Sequence, residues 1–305
     1  MTHLDAHADK LLRDEPLARY TAARMGGPAD YLYLARKDSA LDDMIAVVKA
    51  AWKDAIPVRV IGGGANILIS DSGVRGLVVV NRITDIQFGD WHDGRTVSAT
   101  SGTNLQILAK ACAERGLTGM EWAVGVPGTV GGAVVNNAGA HGDDMAASLA
   151  DVVVLEAESG PRLQLNAELG YAYRHSVLKG RKDRRFLVLM ATFALSYGER
   201  EAIKTRMEKF NAYRKQSQPP GASLGSIFKN PPGGYAGRLI ESCGLKGYTI
   251  GNAQVSPVHA NFFINTGGDA KASDYFALVQ HVQQTVKAQT GITLELEIET
   301  LGEWI

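Results

Sequence analysis

The amino-acid sequence predicts an α+β protein in which a region of alternating strands and helices precedes a separate carboxyl-terminal domain. Helical and strand patterns alternate over the first two-thirds of the chain, and a charged helix closed by two prolines follows Gly198. Near the carboxyl terminus, apolar and polar side chains then alternate strictly. A chain of 305 residues with 45% hydrophobic side chains is long and apolar enough to bury the cores that this division requires.

The composition excludes several classes of function. Thirty-two basic and 32 acidic side chains give a formal net charge of zero, so the chain lacks the basic excess typical of proteins that bind nucleic acid or anionic membranes. The longest apolar run, 186–195, is too short to span a membrane. Cys112 and Cys243 are the only cysteines, and no CxxC or HExxH motif occurs. We therefore expect no disulfide framework, no metal site, and a reducing, cytoplasmic setting.

Hydrophobic periodicity predicts the elements of the first two-thirds. A helix is expected over 39–55, where large apolar side chains recur at helical spacing behind a Ser39 cap and before Pro57. A second helix is expected over 104–115, ending at Gly116. Short runs rich in β-branched residues and separated by turn residues predict strands. These runs lie at 58–62, 67–70, 76–80, 96–99, 152–156 and 186–195.

The pattern of the last third is different. The charged helix after Gly198 carries Ile203, Met207 and Phe210 on one side, and we place a domain boundary near 198. A small helix, a strand and a long helix are predicted next, at 234–242, 262–265 and 273–290. The final alternating segment predicts a strand with a core face of Ile292, Leu294, Leu296 and Ile298. Its polar face carries Thr293, Glu295, Glu297 and Glu299, and the pattern does not choose between the three glutamates.

Two glycine-rich segments without a basic residue suggest a ligand held by main-chain groups. In 61–71 three consecutive glycines precede an asparagine, and a phosphate there would have to bind backbone N–H groups arranged as a nest. The Rossmann fingerprint does not fit, because Ile67 replaces its third glycine, and no Gly-Lys dipeptide of a P-loop occurs. In 125–142 Thr129, Asn137 and exposed amides could bind an elongated polar ligand. Together the segments suit a dinucleotide, while a hairpin turn and a packing loop are the alternatives.

Two further segments carry candidate catalytic side chains. Ser223 satisfies a GxSxG pattern, but that nucleophile elbow needs a strand before it and a helix after it, which the sequence around Ser223 does not predict. Ser226 is the other candidate in 221–234, and an ordinary turn serine is the alternative to a catalytic role. Arg174, in the run YAYRHS, could clamp a carboxylate bidentately or form a surface ion pair. Basic side chains collect in the last third, which indicates either an anionic-substrate site or a solvated face. They include Lys229, Arg238 and Lys246.

In order and spacing these segments resemble the flavin-dependent UDP-N-acetylenolpyruvoylglucosamine reductases of peptidoglycan synthesis. The resemblance rests on TAARMGGPADYL, IGGGANILISDSGVRG, the run from GTNLQILAK to NNAGAHG, YRHSVLK, GSIFKNP, 244–270 and GITLELEIETLG. It implies an FAD-binding unit of the vanillyl-alcohol oxidase/PCMH type over 1–198, with subdomains of about 1–75 and 76–198. It also implies an α+β substrate-binding domain over 199–305. The stretch between YRHS and GSIFKNP is short, and in this the sequence is similar to the second, shorter subtype of the family.

The resemblance implies a reaction and a set of site residues. NADPH would reduce non-covalently bound FAD, and the reduced FAD would reduce the enolpyruvyl sugar nucleotide to UDP-N-acetylmuramate. This product is a cell-wall precursor, so the reaction would serve cell-wall synthesis, cell shape and cell division. The implied catalytic residues are Arg174, Ser226 and Glu297. The implied FAD contacts are Gly62, Gly63, Gly64, Ala65, Asn66, Ile67, Gly125, Pro127, Gly128, Thr129, Gly132, Ala133, Asn137 and Gly139. We assign the sugar nucleotide to Tyr173, Lys215, Lys229 and Asn230.

The sequence departs from the family pattern at three positions. Ala65 stands where the turn commonly has serine, and Asn136 and His141 replace the usual methionine and tyrosine. His141 raises a covalent flavin link as an alternative. Three other functions stay open: a flavin-dependent oxidase, a non-catalytic nucleotide-sugar binder, and a serine hydrolase with Ser223, Asp269 and His281. We expect a monomer that acts on a small molecule and binds neither nucleic acid nor membrane.

Overall fold

A computed structural model describes residues 2–89 and 95–304. The strands are, in chain order, β1 (Leu11–Pro16), β2 (Pro28–Ala35), β3 (Val58–Ile61), β4 (Ile67–Ile69), β5 (Val74–Asn81), β6 (Ile86–Gly89), β7 (Thr96–Thr100), β8 (Leu117–Thr118), β9 (Gly139–Ala140), β10 (Asp143–Asp144), β11 (Leu149–Glu156), β12 (Gly160–Leu165), β13 (Phe186–Ala194), β14 (Ser196–Tyr197), β15 (Ala222–Ser226), β16 (Thr249–Ile250), β17 (Ala253–Val255), β18 (Phe262–Asn265) and β19 (Glu299–Leu301).

The helices complete the α+β class that the sequence predicts. The α-helices are α1 (Leu41–Lys53), α2 (Leu105–Glu114), α3 (Val130–Asn136), α4 (Met145–Ser148), α5 (Val177–Gly180), α6 (Arg200–Ser217), α7 (Ala236–Ser242) and α8 (Ala272–Thr290). Short 3₁₀ helices lie at Leu4–Lys10, Leu17–Tyr20, Glu121–Gly125 and Asn166–Leu169. No helix in the described part of the chain is long and apolar enough to cross a membrane.

The chain forms two compact units. The first holds the residues up to Leu12 together with Tyr31–Gly63 and Gly76–Arg214. The second holds Arg13–Asp30, Gly64–Arg75 and the residues from Lys215 onward. Helix α6 belongs to the first unit as far as Arg214, because Ile203 and Met207 are buried in its core. The domain boundary at 198 stays a prediction, and the compact units divide the chain sixteen residues later along α6 (214 against 198).

Two sheets and two cores build the first unit. An antiparallel sheet has the order β12-β11-β13-β7-β6, and its core includes Val97, Trp122 and Phe193. Strands β3 and β5 pair in parallel within a four-stranded sheet of order β1-β2-β5-β3. Helix α1 contributes Met44 and Val48 to the second core, which confirms the predicted periodicity. The predicted Ser39 cap is wrong, because α1 begins after Ala40 and the Ser39 hydroxyl instead accepts a hydrogen bond from the Arg36 amide.

The second unit is built on a four-stranded antiparallel sheet of order β15-β18-β17-β16. Helix α8 buries one side against it, with Tyr275, Leu278 and Val282 fully enclosed. Strand β4 pairs in parallel with β19, whereas β3 pairs with β5. The hairpin alternative for residues 61–71 is therefore wrong, because the two strands that flank these glycines pair with different partners.

The predicted continuous strand over 292–301 is also wrong. Leu294 and Ile298 are buried as the alternation predicts, but Ile292 is 36% exposed. Only an isolated bridge between Phe228 and Leu296 and the short strand β19 are formed in this segment. The segment changes partners at Glu297, from the main chain near Phe228 to β4, and this change interrupts regular pairing.

Candidate functional site

The two glycine-rich segments contact each other directly in the first unit. A Cβ atom on Gly62 would clash with Thr129 Oγ1, and one on Gly63 would lie 2.5 Å from the Cα of Gly128. Real Cβ atoms do not approach that closely, so any side chain at Gly62 or Gly63 would push the two loops apart. The glycines are needed because two backbones meet there.

The contact between the two loops leaves open space at Gly128. Gly128 adopts a φ of +119°, a conformation that favours glycine, and a Cβ atom there would meet no atom of the described residues within 4 Å. At Gly132, an exposed position in the first turn of α3, a Cβ would have only Thr129 Oγ1 of the described atoms within 4 Å, at 3.9 Å. Backbone and small groups therefore form a surface against which an extended or planar ligand can lie closely.

An arginine that sequence reasoning missed supports the first loop. Arg82 follows strand β5, and its Nη1 donates a hydrogen bond to the carbonyl of Gly62. Burial lowers the pKa of Arg82. Next to it, Asn81 Nδ2 donates to Ser101 Oγ at 2.9 Å, while the Ser101 carbonyl accepts from the Gly131 amide at 2.8 Å. The end of β5 thus fixes both glycine-rich segments, and nothing in the local sequence marks Arg82 for this task.

The remaining residues of the first glycine segment belong to the second unit. Gly64 adopts a φ of +64°, and its carbonyl accepts from the Ala22 amide at 2.9 Å. Asn66 Nδ2 donates to the carbonyl of Glu297 at 3.2 Å, and the Asn66 carbonyl accepts from the Glu299 amide at 2.9 Å. Asn66, a predicted cofactor residue, is therefore next to Glu297, a predicted catalytic residue.

Arg174 lies on a tight turn that reaches the second glycine segment. The main chains of Ala172 and His175 pair with each other, and Arg174 between them adopts a left-handed φ of +54°. Its Nη2 donates to the Gly139 carbonyl at 2.9 Å, and its guanidinium lies 5.3 Å from the ring centre of Tyr173. The structure thus brings Arg174 to the end of the predicted cofactor segment, on a turn where Tyr173 is 52% exposed.

Asn137 connects the glycine segment to that turn. It ends α3 with a left-handed φ of +44°, and only 1% of it is exposed. Its Nδ2 donates to Asp144 Oδ2 at 2.9 Å and to the Ala172 carbonyl at 3.0 Å, while its Oδ1 accepts from the Ala146 amide at 3.1 Å. Because all these groups are engaged inside the protein, the side chain braces the Arg174 turn, and its direct contact with a cofactor stays a prediction.

We expect Asn137→Ala to lower the free energy of unfolding by about 1–3 kcal/mol, because it leaves buried partners without a hydrogen bond. Asn136→Ala is the matched control. Within the described residues the Asn136 side chain makes one hydrogen bond, to the Gly132 carbonyl of its own helix, so its loss should change stability by less than about 0.5 kcal/mol. Urea unfolding of both variants measures the difference, and equal effects would contradict the bracing role.

Ser226 and Glu297 come together in the second unit. Ser226 ends β15 opposite Phe262, and the carbonyl of the next residue, Ile227, accepts from the Glu297 amide at 2.8 Å. Glu295 is exposed and forms an ion pair with Lys229, with 3.4 Å between Nζ and Oε2. Among the three glutamates that the alternation left open, Glu297 is the one whose main chain is joined to the residue after Ser226.

Asn261 is a second residue that sequence reasoning missed. Its Nδ2 donates to the Phe228 carbonyl at 2.8 Å, and its Oδ1 accepts from the Phe228 amide at 3.0 Å. Its own carbonyl accepts from the Ile227 amide at 2.9 Å, and the residue is 3% exposed. Asn261 therefore holds the chain on the carboxyl-terminal side of Ser226 in one conformation. An asparagine inside an apolar run is the only signal that could have pointed to it.

The remaining predicted residues are two substrate-binding candidates and the serine of the hydrolase alternative. Lys215 is exposed near the end of α6, and Asn230 Oδ1 accepts from the first amide of α7, that of Ala236, at 3.1 Å. Ser223 lies within β15, opposite Ile264, and no helix begins directly after it. The nucleophile elbow required by the hydrolase alternative is therefore not formed.

The family models cover most of the chain. Residues 216–301 match the model of the UDP-N-acetylenolpyruvoylglucosamine reductase carboxyl-terminal domain, and residues 39–157 match an FAD binding domain. The UDP-N-acetylenolpyruvoylglucosamine reductase of Rubrobacter xylanophilus is 41% identical over 294 residues, which are 95% of each chain. That of Bacillus velezensis is 39% identical over 302 residues, 98% of this chain and 96% of the relative.

A solved structure supports the same relationship. The crystal structure of UDP-N-acetylenolpyruvylglucosamine reductase from Thermus caldophilus is similar with a TM-score of 0.80. Its sequence is 34% identical, and the match covers 96% of this chain and 99% of that one. The similarity thus extends over both compact units.

Proposed function

Because the chain belongs to the UDP-N-acetylenolpyruvoylglucosamine reductase family, we propose that this FAD-dependent oxidoreductase reduces UDP-N-acetylglucosamine enolpyruvate to UDP-N-acetylmuramate with electrons from NADPH. The structural observation that carries the proposal is the contact between two glycine segments without lysine or arginine, which suits a dinucleotide. The product is a peptidoglycan precursor, so the protein serves cell-wall synthesis, and through it cell shape and division. We assign it to the cytoplasm as a monomer.

The residues of the first unit fit FAD. Gly62 and Gly63 would hold the cofactor together with Gly125, Gly128 and Thr129, on the open side where a Cβ at Gly128 meets no atom. Main-chain N–H groups would bind the diphosphate, since neither glycine segment carries a basic side chain. When bound, FAD accepts a hydride from NADPH and delivers it to the vinyl group of the substrate.

The departures from the family pattern affect this site differently. Ala65 removes one side-chain donor near the diphosphate. Asn136 turns its Nδ2 back to its own helix, 3.0 Å from the Gly132 carbonyl. The His141 ring stacks on Phe210 with centres 4.1 Å apart, and this stacking holds the ring against the protein. These contacts support non-covalent FAD.

The substrate carboxylate would be bound by Arg174 and Glu297. Hydride addition leaves negative charge on the carbon beside that carboxylate, and water alone stabilises such charge poorly. The Arg174 guanidinium offers planar donors that match a carboxylate, and a protonated Glu297 carboxyl would donate one more hydrogen bond. Preorganised donors of this kind typically contribute about 10²–10³ in rate each.

Ser226 would deliver the proton to that carbon. A serine hydroxyl is a weak acid, but its acceptor here is strongly basic, so placement decides the rate. Asn261 and the Glu297 amide fix the main chain directly after Ser226. For the diphosphate of the sugar nucleotide we propose Lys215 and Lys229, and we propose Tyr173 and Asn230 as further substrate-binding residues.

We expect Gly63→Ala to weaken FAD binding about tenfold or more, because separating the two loops costs roughly 1–3 kcal/mol. Gly234→Ala is a matched control, since the nearest atom to its Cβ is Pro231 Cγ at 3.8 Å. Titration of the apoprotein with FAD gives both affinities. Unchanged affinity in Gly63→Ala would mean that the loop contact does not form the cofactor site.

Spectroscopy of the purified protein tests the function as a whole. We expect the purified protein to show the spectrum of a bound flavin. NADPH should bleach this spectrum under anaerobic conditions, and addition of the enolpyruvyl sugar nucleotide should restore it. Fast reoxidation by oxygen instead would identify the oxidase alternative. A protein that carries no flavin and takes none up would contradict the proposal.

A further inference from the structure

Helix α6 places the side chain of Arg214 against Gly125 in the second glycine segment. A Cβ atom on Gly125 would lie 2.8 Å from Arg214 Nε and closer still to Arg214 Cδ. Only glycine at 125 leaves room for this side chain. Gly125 is one of the predicted cofactor residues, so Arg214 borders the proposed flavin site within a single compact unit.

The Arg214 guanidinium has no anionic partner among residues 2–89 and 95–304. Within these residues its side chain takes part in no hydrogen bond or ion pair. Two turns earlier on the same helix, Arg206 donates to the buried Glu121 carboxylate with 2.5 Å between Nη2 and Oε1. Arg214 is partly buried, and burial lowers its pKa. A partly buried guanidinium without a partner is costly, and proteins usually compensate such a charge.

In the described part of the chain, the side chains around Arg214 do not supply a compensating charge. His141 stacks on Phe210, and Tyr213 meets the His141 ring edge-on with centres 5.9 Å apart. Burial and the positive charge of Arg214 both lower the pKa of His141, which favours its neutral form. Beside Gly125 the nearest other side-chain atom is the uncharged amide oxygen of Asn211, so the charge of Arg214 is available to a ligand.

We infer that Arg214 is a cofactor-binding residue whose guanidinium pairs with an anionic group of the bound flavin beside Gly125. This inference rests on the proposed function. Residues 61–71 and 125–142 carry no lysine or arginine, so Arg214 brings to these segments a cation that their sequences lack. FAD offers two anions of this kind, its diphosphate and the pyrimidine edge of the reduced ring.

Arg214→Gln distinguishes these two sources. If Arg214 pairs with the diphosphate, the dissociation constants of oxidised and reduced FAD should both rise about tenfold or more, and the midpoint potential should stay unchanged. If it pairs with the reduced ring, only the reduced form should bind more weakly, and a tenfold loss lowers the midpoint potential by about 30 mV. FAD titration of the apoprotein and a dye-coupled reductive titration measure the two quantities.

Two further variants control the experiment. Arg200→Gln removes the same charge from an exposed position of α6 and should change neither quantity. Arg214→Lys keeps the charge and should retain most of the affinity, and it carries the test if Arg214→Gln does not fold. An equal loss in both Arg214 variants would assign the effect to packing on Gly125 and overturn the inference. So would unchanged affinity and potential in Arg214→Gln. Wild-type protein without flavin would instead overturn the proposed function.

Discussion

In Ser226→Ala, bleaching of the flavin by NADPH should proceed at a nearly normal rate, while reoxidation by the enolpyruvyl sugar nucleotide should slow by about 10²–10⁴. The two half-reactions separate because the proposed proton transfer belongs only to the second. The hydroxyl is lost without a change in the backbone of β15, so the proposed FAD site and the Arg174 turn keep their structure.

Ser223→Ala is the matched control for this prediction. Ser223 lies on the same strand, opposite Ile264, and has the same side chain. We expect both of its half-reactions to be normal in stopped-flow absorbance measurements. If Ser226→Ala reoxidises as fast as the wild type, Ser226 is not the proton donor. If Ser223→Ala is the slow variant, the two serines have been assigned the wrong way round.

The sequence could predict the elements that depend on local patterning. Helix α1 follows from a five-residue apolar face, and the strands of the large sheet follow from β-branched runs. That the two glycine-rich segments serve one ligand stays a prediction, which rests on their lack of lysine and arginine and on a glycine content above that of ordinary turns. That Gly63 touches Gly128 could not be predicted, since spacing along the chain carries no information about which loops meet.

The residues that were missed act through tertiary contacts. Arg82, Asn261 and Arg214 stand in runs that look like ordinary strand or helix sequence, and only folding reveals which residues they lie against. The prediction of a continuous last strand over 292–301 was wrong for a related reason. Alternation reports which side chains face the core, and Leu294 and Ile298 obey it, but it does not report whether the main chain keeps one partner. Here the partner changes at Glu297.

That change of partner allows a decisive test of which glutamate acts. Glu297→Ala should slow reoxidation by the enolpyruvyl substrate by about 10²–10³, because it removes a donor to the charge that develops beside the carboxylate. Bleaching by NADPH should be unaffected. The Ile227 carbonyl and the Asn66 side chain hold the main chain of Glu297, so truncating its side chain should leave the fold intact.

Glu295→Ala and Glu299→Ala make the same change on the same predicted face of the segment. Glu295→Ala releases Lys229 from its ion pair and should alter the KM for the sugar nucleotide, but not the rate of reoxidation at saturation. Glu299 lies in β19, where its amide donates to Asn66, so its side chain should have little effect on either half-reaction. If reoxidation slows by 10²-fold or more in either control while Glu297→Ala is normal, the catalytic carboxyl belongs to Glu295 or Glu299 instead. Because only Glu297 is joined through its main chain to the residue after Ser226, we expect the large effect there alone.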